Sequence, residues 1–257
     1  MGAFLAAGGV PKLSTLLWIT LAITGARSAA LAIDNLVDLK YDKVHPRFTR
    51  RPMVTGEVTK EEAVGLIIAN LMICLFAVGQ LPPICLKLLP LAALPFLVYP
   101  YMKRFTFACH GVLGIAIAMA PAGGWVAVRG TIDFPMVVLC LAVGIWIGAF
   151  DAIYGAQDEA FDRAHGLHSL ATALGAPQAM RLARWLHVLC VACFLLLGIL
   201  CGLRWPYYLG VLIAALTLVY QHSIVAPYDF SRLTQVYFMR NGIVSVALFL
   251  CTWWSLT

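Results

Sequence analysis

Long runs of apolar residues dominate this chain and are separated by short polar or proline-containing segments. An α-helix needs about 20 mostly apolar residues to cross a bilayer. About eight such runs can be marked, over residues 13–37, 62–81, 84–101, 107–128, 134–153, 178–202, 206–225 and 234–255. The breaks carry turn signals, at Pro82-Pro83, Pro100, Pro135, Pro177, Pro206 and Pro227. We therefore predict an all-α fold, a polytopic transmembrane helical bundle that forms one integral-membrane domain over residues 1–257.

The composition points to the same class of protein. Of the 257 residues, 62% are hydrophobic and 12% are charged, whereas soluble domains are roughly one quarter charged. The apolar runs are continuous and do not alternate, which argues against a transmembrane β-barrel. The net charge of +6 falls mostly in a few loops, and the chain lacks the basic and aromatic pattern of nucleic-acid binding. The eight cysteines lie in or beside apolar runs, where we expect small packing residues.

The opening segment, MGAFLAAGGVPK, is apolar but too short to span a bilayer. It is typical of the tail of a helix followed by a Gly-Gly-Val-Pro turn. A start site placed too far downstream, or a truncated chain, would explain this pattern.

Basic residues mark alternate connections between the apolar runs. The richest connection, residues 38–60, holds Lys40, Lys43, Arg47, Arg50, Arg51 and Lys60, and a later one holds Lys103 and Arg104. The intervening connections hold only Lys12, Lys87, Arg129 and Arg204. By the positive-inside rule the basic loops face the cytoplasm, so we predict a multi-pass protein of the cell inner (plasma) membrane.

Acidic residues are concentrated in two segments on that same side. Seven of the twelve lie in residues 27–51 and 151–169. In the first segment Asp34, Asp38 and Asp42 recur every four residues, which places them on one face of a helix. In the second, Asp158 and Asp162 repeat the spacing and follow Asp151. Carboxylates near a bilayer are rarely found without a partner, so we expect the two groups to face each other.

This arrangement suits a divalent metal and a polyanion. Mg²⁺ is usually held by one or two carboxylates and by substrate phosphates. We therefore predict two Mg²⁺ sites that clamp one diphosphate. The predicted metal ligands are Asp38, Asp42, Asp158 and Asp162, and the cations predicted to neutralise the diphosphate are Arg27, Arg47, Arg51, Lys103 and Arg104. If the diphosphate is allylic, its departure leaves a carbocation that an aromatic, water-excluding chamber can protect.

At this point the chain resembles the UbiA-type membrane prenyltransferases, whose motifs have the form N-x₃-D-x₃-D and D-x₆-D-x₃-D. The first motif corresponds here to DNLVDLKYDKVHPR, with Asp38 and Asp42 in place. The second corresponds to Asp151, Asp158 and Asp162, with Tyr154 between them, and a Y-x₃-K element corresponds to Tyr99 and Lys103. The chain departs from the family in having Asp34 where the family has Asn. It also lacks most of the first of the family's nine transmembrane helices.

The resemblance implies Mg²⁺-dependent transfer of a polyprenyl group from polyprenyl diphosphate to an aromatic acid. It implies that Asp34, Asp151 and Tyr154 form a catalytic group. It also implies that Tyr99 binds substrate, together with the cations named above. The segments QDEAFDRAHGLHS and GARSAALAIDNLVD are most similar to the polyprenyltransferases of menaquinone synthesis by the futalosine route. The implied acceptor is 1,4-dihydroxy-6-naphthoate, with 4-hydroxybenzoate, the acceptor in ubiquinone synthesis, as the next choice.

Two other functions fit parts of the pattern. A CDP-alcohol phosphotransferase also uses membrane aspartates and a divalent metal, but its acids form one continuous motif that begins with D-G. An ion-coupled transporter also carries buried acids, but these more often lie at the midplane beside broken helices. Among the other polar residues, His165 and His168 are predicted to be solvated, and Asn241 to form a hydrogen bond between helices.

Overall fold

The computed structural model describes residues 1–233 and 238–257, and this part of the chain is α-helical without a β-strand. A 3₁₀ turn at Ala156–Asp158 follows the seventh helix. The helices are α1 Gly2–Ala7, α2 Leu13–Asp42, α3 Pro52–Thr55, α4 Lys60–Gly79, α5 Pro83–Met102, α6 Cys109–Arg129, α7 Phe134–Gly155, α8 Glu159–Ala164, α9 Leu170–Leu174, α10 Ala176–Leu200, α11 Trp205–Ile224 and α12 Phe238–Leu256.

Within the described residues, seven helical segments are long and apolar enough to cross a membrane, and they begin at Leu13, Lys60, Pro83, Cys109, Phe134, Ala176 and Trp205. The chain is therefore a multi-pass membrane protein, as predicted. Helix α12 corresponds to the last predicted run, of which residues 234–237 lie outside the described residues.

Proline marks the start of four of these helices. Pro83, Pro135, Pro177 and Pro206 lie in the first turn of α5, α7, α10 and α11, where a missing backbone N–H leaves no hydrogen bond unmade. Pro100, which stands near the end of the run predicted over residues 84–101, lies inside the last turn of α5, which ends at Met102. Neighbouring helices allow a membrane helix to tolerate an internal proline.

The opening segment forms the short helix α1, which ends at Gly8 in the left-handed conformation. It packs against α6, and a Cβ added at Gly2 would lie 2.2 Å from the carbonyl oxygen of Pro121. The predicted piece of helix and glycine turn is thus present, and it is part of the hydrophobic packing of the bundle.

Close backbone contact joins α6 and α7. A Cβ added at Gly114 would lie 2.2 Å from the carbonyl oxygen of Gly144, so small residues allow these helices to approach each other closely. On the other side of α7, the Trp146 indole donates to Asn241 of α12 (3.2 Å), which confirms the predicted hydrogen bond between helices. The bundle therefore holds α7 through both glycine packing and polar contacts.

We predict that Gly114→Ala destabilises the protein by about 1–3 kcal/mol, because the new methyl group overlaps the backbone of α7. The measurement is the thermal unfolding midpoint of the purified protein in detergent. Gly123→Ala on the same helix is the matched control, since a Cβ there meets nothing within 4 Å. Equal midpoints for the two variants would contradict the close packing of α6 on α7.

Candidate active site

The two groups of aspartates line one cavity at the end of the bundle where α2 and α7 terminate. Its volume is about 160 Å³. Its walls contain the carboxylates of both motifs together with cationic and aromatic side chains. The lining includes Asp34, Asp38, Tyr41, Asp42, His45, Arg47, Phe48, Arg51, Tyr99, Lys103, Arg104, His110, Asp151, Tyr154, Gly155, Asp158, Phe161 and Asp162. We call this cavity the acidic chamber.

The first group of acids lies on a single helix. Asp34, Asp38 and Asp42 occupy the last turns of α2, which ends at Asp42. Their four-residue spacing places them along one face, and all three line the acidic chamber. The predicted geometry of this segment is therefore the one in the structure.

The second group of acids lies on three successive elements. Asp151 belongs to α7, Asp158 ends the 3₁₀ turn and Asp162 lies in α8. The regular helix stops at Gly155, so the four-residue spacing of Asp158 and Asp162 spans a change of helix type. Both side chains are nevertheless buried at the chamber wall.

Each of the four predicted metal ligands forms an ion pair with one of four predicted diphosphate-binding cations. The pairs are Asp38 with Arg104 (3.5 Å), Asp42 with Arg51, Asp158 with Arg47 (2.6 Å) and Asp162 with Lys103 (3.4 Å). The pairs between Arg47 and Asp158 and between Lys103 and Asp162 join segments that are distant along the chain. They connect the second motif to the basic loops that follow α2 and α5.

The charges of the acidic chamber leave an excess of carboxylates. Six aspartates and four Lys or Arg side chains line it, so two negative charges remain when the histidines are neutral. Burial tends to lower the pKa of Lys103, but the carboxylates of Asp162, Asp151 and Asp158 outweigh burial and raise it. Lys103 is therefore held in its charged form.

His45 connects the first basic loop to the second motif. Its Nε2 lies 3.3 Å from Asp158 Oδ1, and its Nδ1 accepts a hydrogen bond from the backbone N–H of Arg47 (3.2 Å). The ring packs between Phe48 and Phe161, at centroid distances of 4.4 and 4.2 Å. Burial lowers the pKa of His45, and Arg47 lowers it further, so the neutral ring donates to Asp158 through Nε2.

Aromatic side chains lie beside the cations. The Arg104 guanidinium is 5.5 Å from the centroid of the Tyr41 ring and donates to the backbone carbonyl of Val37 (2.9 Å), so it holds α2 against the segment after α5. The Arg47 guanidinium is 5.4 Å from the centroid of the Tyr154 ring. Tyr154 and Tyr99 both line the acidic chamber.

Arg27 is the predicted site residue that the structure does not bring to the acidic chamber. Its side chain is exposed on α2 and is not part of the chamber lining. It precedes Asp34 by seven residues, which is about 10 Å along a helix axis. Its assignment to the substrate site stays a prediction.

The sequence patterns did not predict that His45 and His110 belong to the site, although both line the acidic chamber. His45 stands in the HPR segment directly after Asp42, and His110 is the second residue of the apolar helix α6. An ionisable residue inside an apolar span is a functional candidate by default. That signal was available for His110, whereas nothing in the sequence showed that His45 reaches Asp158.

The side chains of the acidic chamber suit a metal ion whose remaining coordination positions are filled by a substrate. Within the residues that the structure describes, no three His, Cys, Asp or Glu side chains form a group that could hold a metal alone. Mg²⁺ commonly takes only one or two carboxylates and fills its other positions with phosphate oxygens and water. The aspartate pairs and the excess of negative charge match that manner of binding.

Comparison with known proteins shows that the chain is a membrane-embedded prenyltransferase. The model of the UbiA prenyltransferase family matches residues 1–243, and the chain belongs to that family. This confirms both the predicted family and the predicted enzyme class. It also removes the CDP-alcohol phosphotransferase and the transporter as alternatives.

Two curated relatives are proteins named 4-hydroxybenzoate octaprenyltransferase. The protein of Methylobacillus flagellatus is 30% identical over 252 residues, which cover 96% of this chain and 83% of the relative. The protein of Citrobacter koseri is 30% identical over 248 residues, which cover 96% of this chain and 85% of the relative. The similarity thus extends over nearly the whole chain.

Solved structures share the fold. The apo structure of a UbiA homologue from Aeropyrum pernix is 28% identical and has a TM-score of 0.85, with 97% of this chain and 93% of that chain covered. A UbiA homologue from Archaeoglobus fulgidus, bound to DMAPP and Mg²⁺, is 16% identical and has a TM-score of 0.69, with coverage of 97% and 91%. At that lower identity the similarity concerns the fold alone.

We predict that His45→Ala loosens the contact between the first basic loop and Asp158, at a cost of about 1–3 kcal/mol for the lost hydrogen bond. Because proteolysis follows the population of the open form, tryptic cleavage after exposed Arg50 should become at least about fivefold faster. His168→Ala is the control, since that side chain is exposed. An unchanged cleavage rate in His45→Ala would show that His45 does not hold the loop.

Proposed function

We propose that the chain transfers a polyprenyl group from polyprenyl diphosphate to a hydroxylated aromatic acid in quinone biosynthesis, with Mg²⁺ as its metal. The observation that carries this proposal is the one-to-one pairing of four aspartates with four cations inside a single chamber. Carboxylates suit divalent metals, and the neighbouring guanidinium and ammonium groups suit phosphate oxygens. A donor that carries both metal and diphosphate gives every one of these charges a new partner.

The four ion pairs support an exchange of partners when the donor binds. Asp38 and Asp42 would hold one metal, and Asp158 and Asp162 another. Arg47, Arg51, Lys103 and Arg104 would then be released from their carboxylates and would donate to the diphosphate oxygens. When bound, Mg²⁺ would stabilise the charge of the departing diphosphate. In this proposal the side chains hold the diphosphate leaving group in the acidic chamber, at the cytoplasmic end of the bundle.

The remaining lining residues suit the allylic end of the donor. Tyr99 and Tyr154 line the chamber, and aromatic rings stabilise a nearby positive charge. Asp34 and Asp151 lie on the α2 and α7 walls. We assign Asp34, Asp151 and Tyr154 to the reacting centre, and Tyr99 to the binding of the prenyl group.

The acceptor is proposed to be 1,4-dihydroxy-6-naphthoate or 4-hydroxybenzoate. The names of the relatives support 4-hydroxybenzoate, and the two subfamily segments support the naphthoate. The deciding experiment offers both acids together, with a polyprenyl diphosphate and Mg²⁺, to the purified protein in lipid vesicles. Mass spectrometry of the products reports which acid is prenylated, and absence of both products would overturn the proposed function.

The proposed location is the plasma membrane, with the acidic chamber toward the cytoplasm. The segments beside the chamber, residues 38–60 and 103–104, hold eight of the 18 Lys and Arg residues, and the positive-inside rule places such basic segments in the cytoplasm. We propose that residues 1–257 act as one catalytic domain, because the two motifs that complete the chamber come from its two halves.

We predict that Asp38→Asn and Asp158→Asn each lower kcat by at least about 100-fold, because each removes a charged metal ligand. The measurement is the Mg²⁺-dependent release of diphosphate together with formation of the prenylated acid. Glu57→Gln, an exposed acid in the first basic loop, is the matched control and should retain activity. Activity near that of the wild type in either aspartate variant would remove that residue from the metal site.

We predict that Asp34→Asn retains or improves turnover. Within the described residues no ion pair involves Asp34. Asparagine keeps a side-chain oxygen that can accept hydrogen bonds or bind a metal, and it removes one excess negative charge. The measurement is kcat and the Mg²⁺ concentration that gives half-maximal rate. A loss of all activity would instead assign a distinct acidic role to Asp34.

A further inference from the structure

His110 lies where the acidic chamber meets a second, apolar cavity. The side chain is 5% exposed. It lines both the acidic chamber and a groove of about 510 Å³ between α6, α7 and α10. Ile115, Leu141 and Leu186 are among the apolar residues of that groove. His110 is therefore the polar residue at the junction of a charged space and an apolar one.

Asp151 fixes the orientation of the His110 ring. His110 Nδ1 lies 2.7 Å from Asp151 Oδ2. An ionised carboxylate only accepts hydrogen bonds, so Nδ1 carries the proton and donates. In the neutral ring the proton is then absent from Nε2, which presents a lone pair.

That lone pair has no protein partner among the described residues, since His110 Nε2 is buried without a hydrogen bond. The two other buried histidines differ. His187 uses Nδ1 with His222 (2.8 Å) and Nε2 with the Trp146 carbonyl (3.2 Å). His45 likewise uses both nitrogens. Among the buried histidines, His110 is thus the one with a ring nitrogen that no described protein group bonds.

Gly155 leaves room at the Nε2 edge of the ring. A Cβ added at Gly155 would lie 3.1 Å from His110 Cε1 and 3.8 Å from Nε2. Gly155 also lines the acidic chamber. Its backbone conformation is an ordinary one (φ −72°), so it is the absent Cβ, and not the backbone angle, that distinguishes glycine at this position. The missing side chain leaves this edge of the imidazole uncovered by residue 155 on the chamber side.

We propose that His110 is a catalytic base that takes the proton lost by the aromatic acceptor, with Asp151 as its positioning residue. This inference rests on the proposed function. The C–O bond of the allylic diphosphate breaks, and diphosphate leaves with the electron pair. A pair of ring π electrons forms the new C–C bond, and the C–H electron pair at that carbon restores aromaticity. The released proton passes to Nε2, and the resulting imidazolium is stabilised by the Asp151 carboxylate until the proton returns to water.

The test compares His110→Gln with the wild type under saturating donor. Glutamine retains hydrogen-bonding capacity but holds a proton far more weakly than imidazole. General acid–base catalysis contributes about 10²–10⁴-fold, so kcat for the prenylated acid should fall at least about 100-fold. The KM values for donor and acceptor should change little. His187→Gln is the matched control, because it also replaces a buried histidine but lies outside the acidic chamber, and its kcat per folded molecule should stay near that of the wild type.

Two further variants separate catalysis from packing. His110→Ala should be inactive and should regain at least about tenfold activity with added imidazole, which a structural role would not produce. Gly155→Ala keeps the histidine but crowds its Nε2 edge, and should also lower kcat. All rates are measured on monodisperse protein and compared with its unfolding midpoint.

The outcomes are distinct for the two proposals. If the wild type makes the prenylated acid and His110→Gln makes it at a similar rate, the base is not His110, while the proposed function stands. Loss of activity in His110→Ala without imidazole rescue, with rates that follow the unfolding midpoints, would assign a structural role and overturn the inference. If the wild type prenylates neither acid, both proposals fail.

Discussion

The need to neutralise carboxylates at the edge of a membrane governs the whole chamber. An ionised aspartate removed from water costs several kcal/mol unless it is paired and hydrogen-bonded. Four of the chamber's aspartates are each paired with one cation, which offsets this cost. Arg47 and Asp158 lie 111 positions apart in the chain, so their pairing requires the two halves of the bundle to close on each other. The ion pairs therefore hold together the same walls that line the chamber.

These pairs also explain why the chamber is suited to a substrate that brings its own charges. A buried ion pair adds little to stability when hydrophobic packing could replace it, so charged side chains at this position indicate a use in binding. Divalent metal and diphosphate together supply a positive partner for each carboxylate and a negative one for each cation. The two excess carboxylates suit a divalent metal, and the guanidinium groups suit phosphate oxygens.

The sequence predicted the helical part of this site well and the irregular part less well. The four-residue spacing of Asp34, Asp38 and Asp42 was sufficient because α2 is regular through Asp42. The same spacing in Asp158 and Asp162 crosses a change from the 3₁₀ turn to α8, which no periodicity reveals.

The sequence also did not predict which charged side chains form ion pairs across the bundle. It contained the basic residues of the loops but not the carboxylate that each one meets, because three of the four pairs join distant segments and only Arg51 meets a carboxylate of its own segment. Arg27 lies in the apolar run of α2, about two helical turns before Asp34 and outside the chamber lining, so its assignment to the diphosphate stays a prediction. Local patterns thus identified the charged residues, and the tertiary structure determined which of them meet.

The walls of the chamber differ in how firmly they are held. Helices α6 and α7, which carry His110 and Asp151, touch backbone to backbone at Gly114 and Gly144, so these two walls pack directly against each other. Helix α5 carries Tyr99 and leads to Lys103, and Pro90, Pro95 and Pro100 each remove a hydrogen bond from its interior. The α5 wall can therefore bend at its prolines, whereas the surroundings of His110 are held by the packing of α6 on α7.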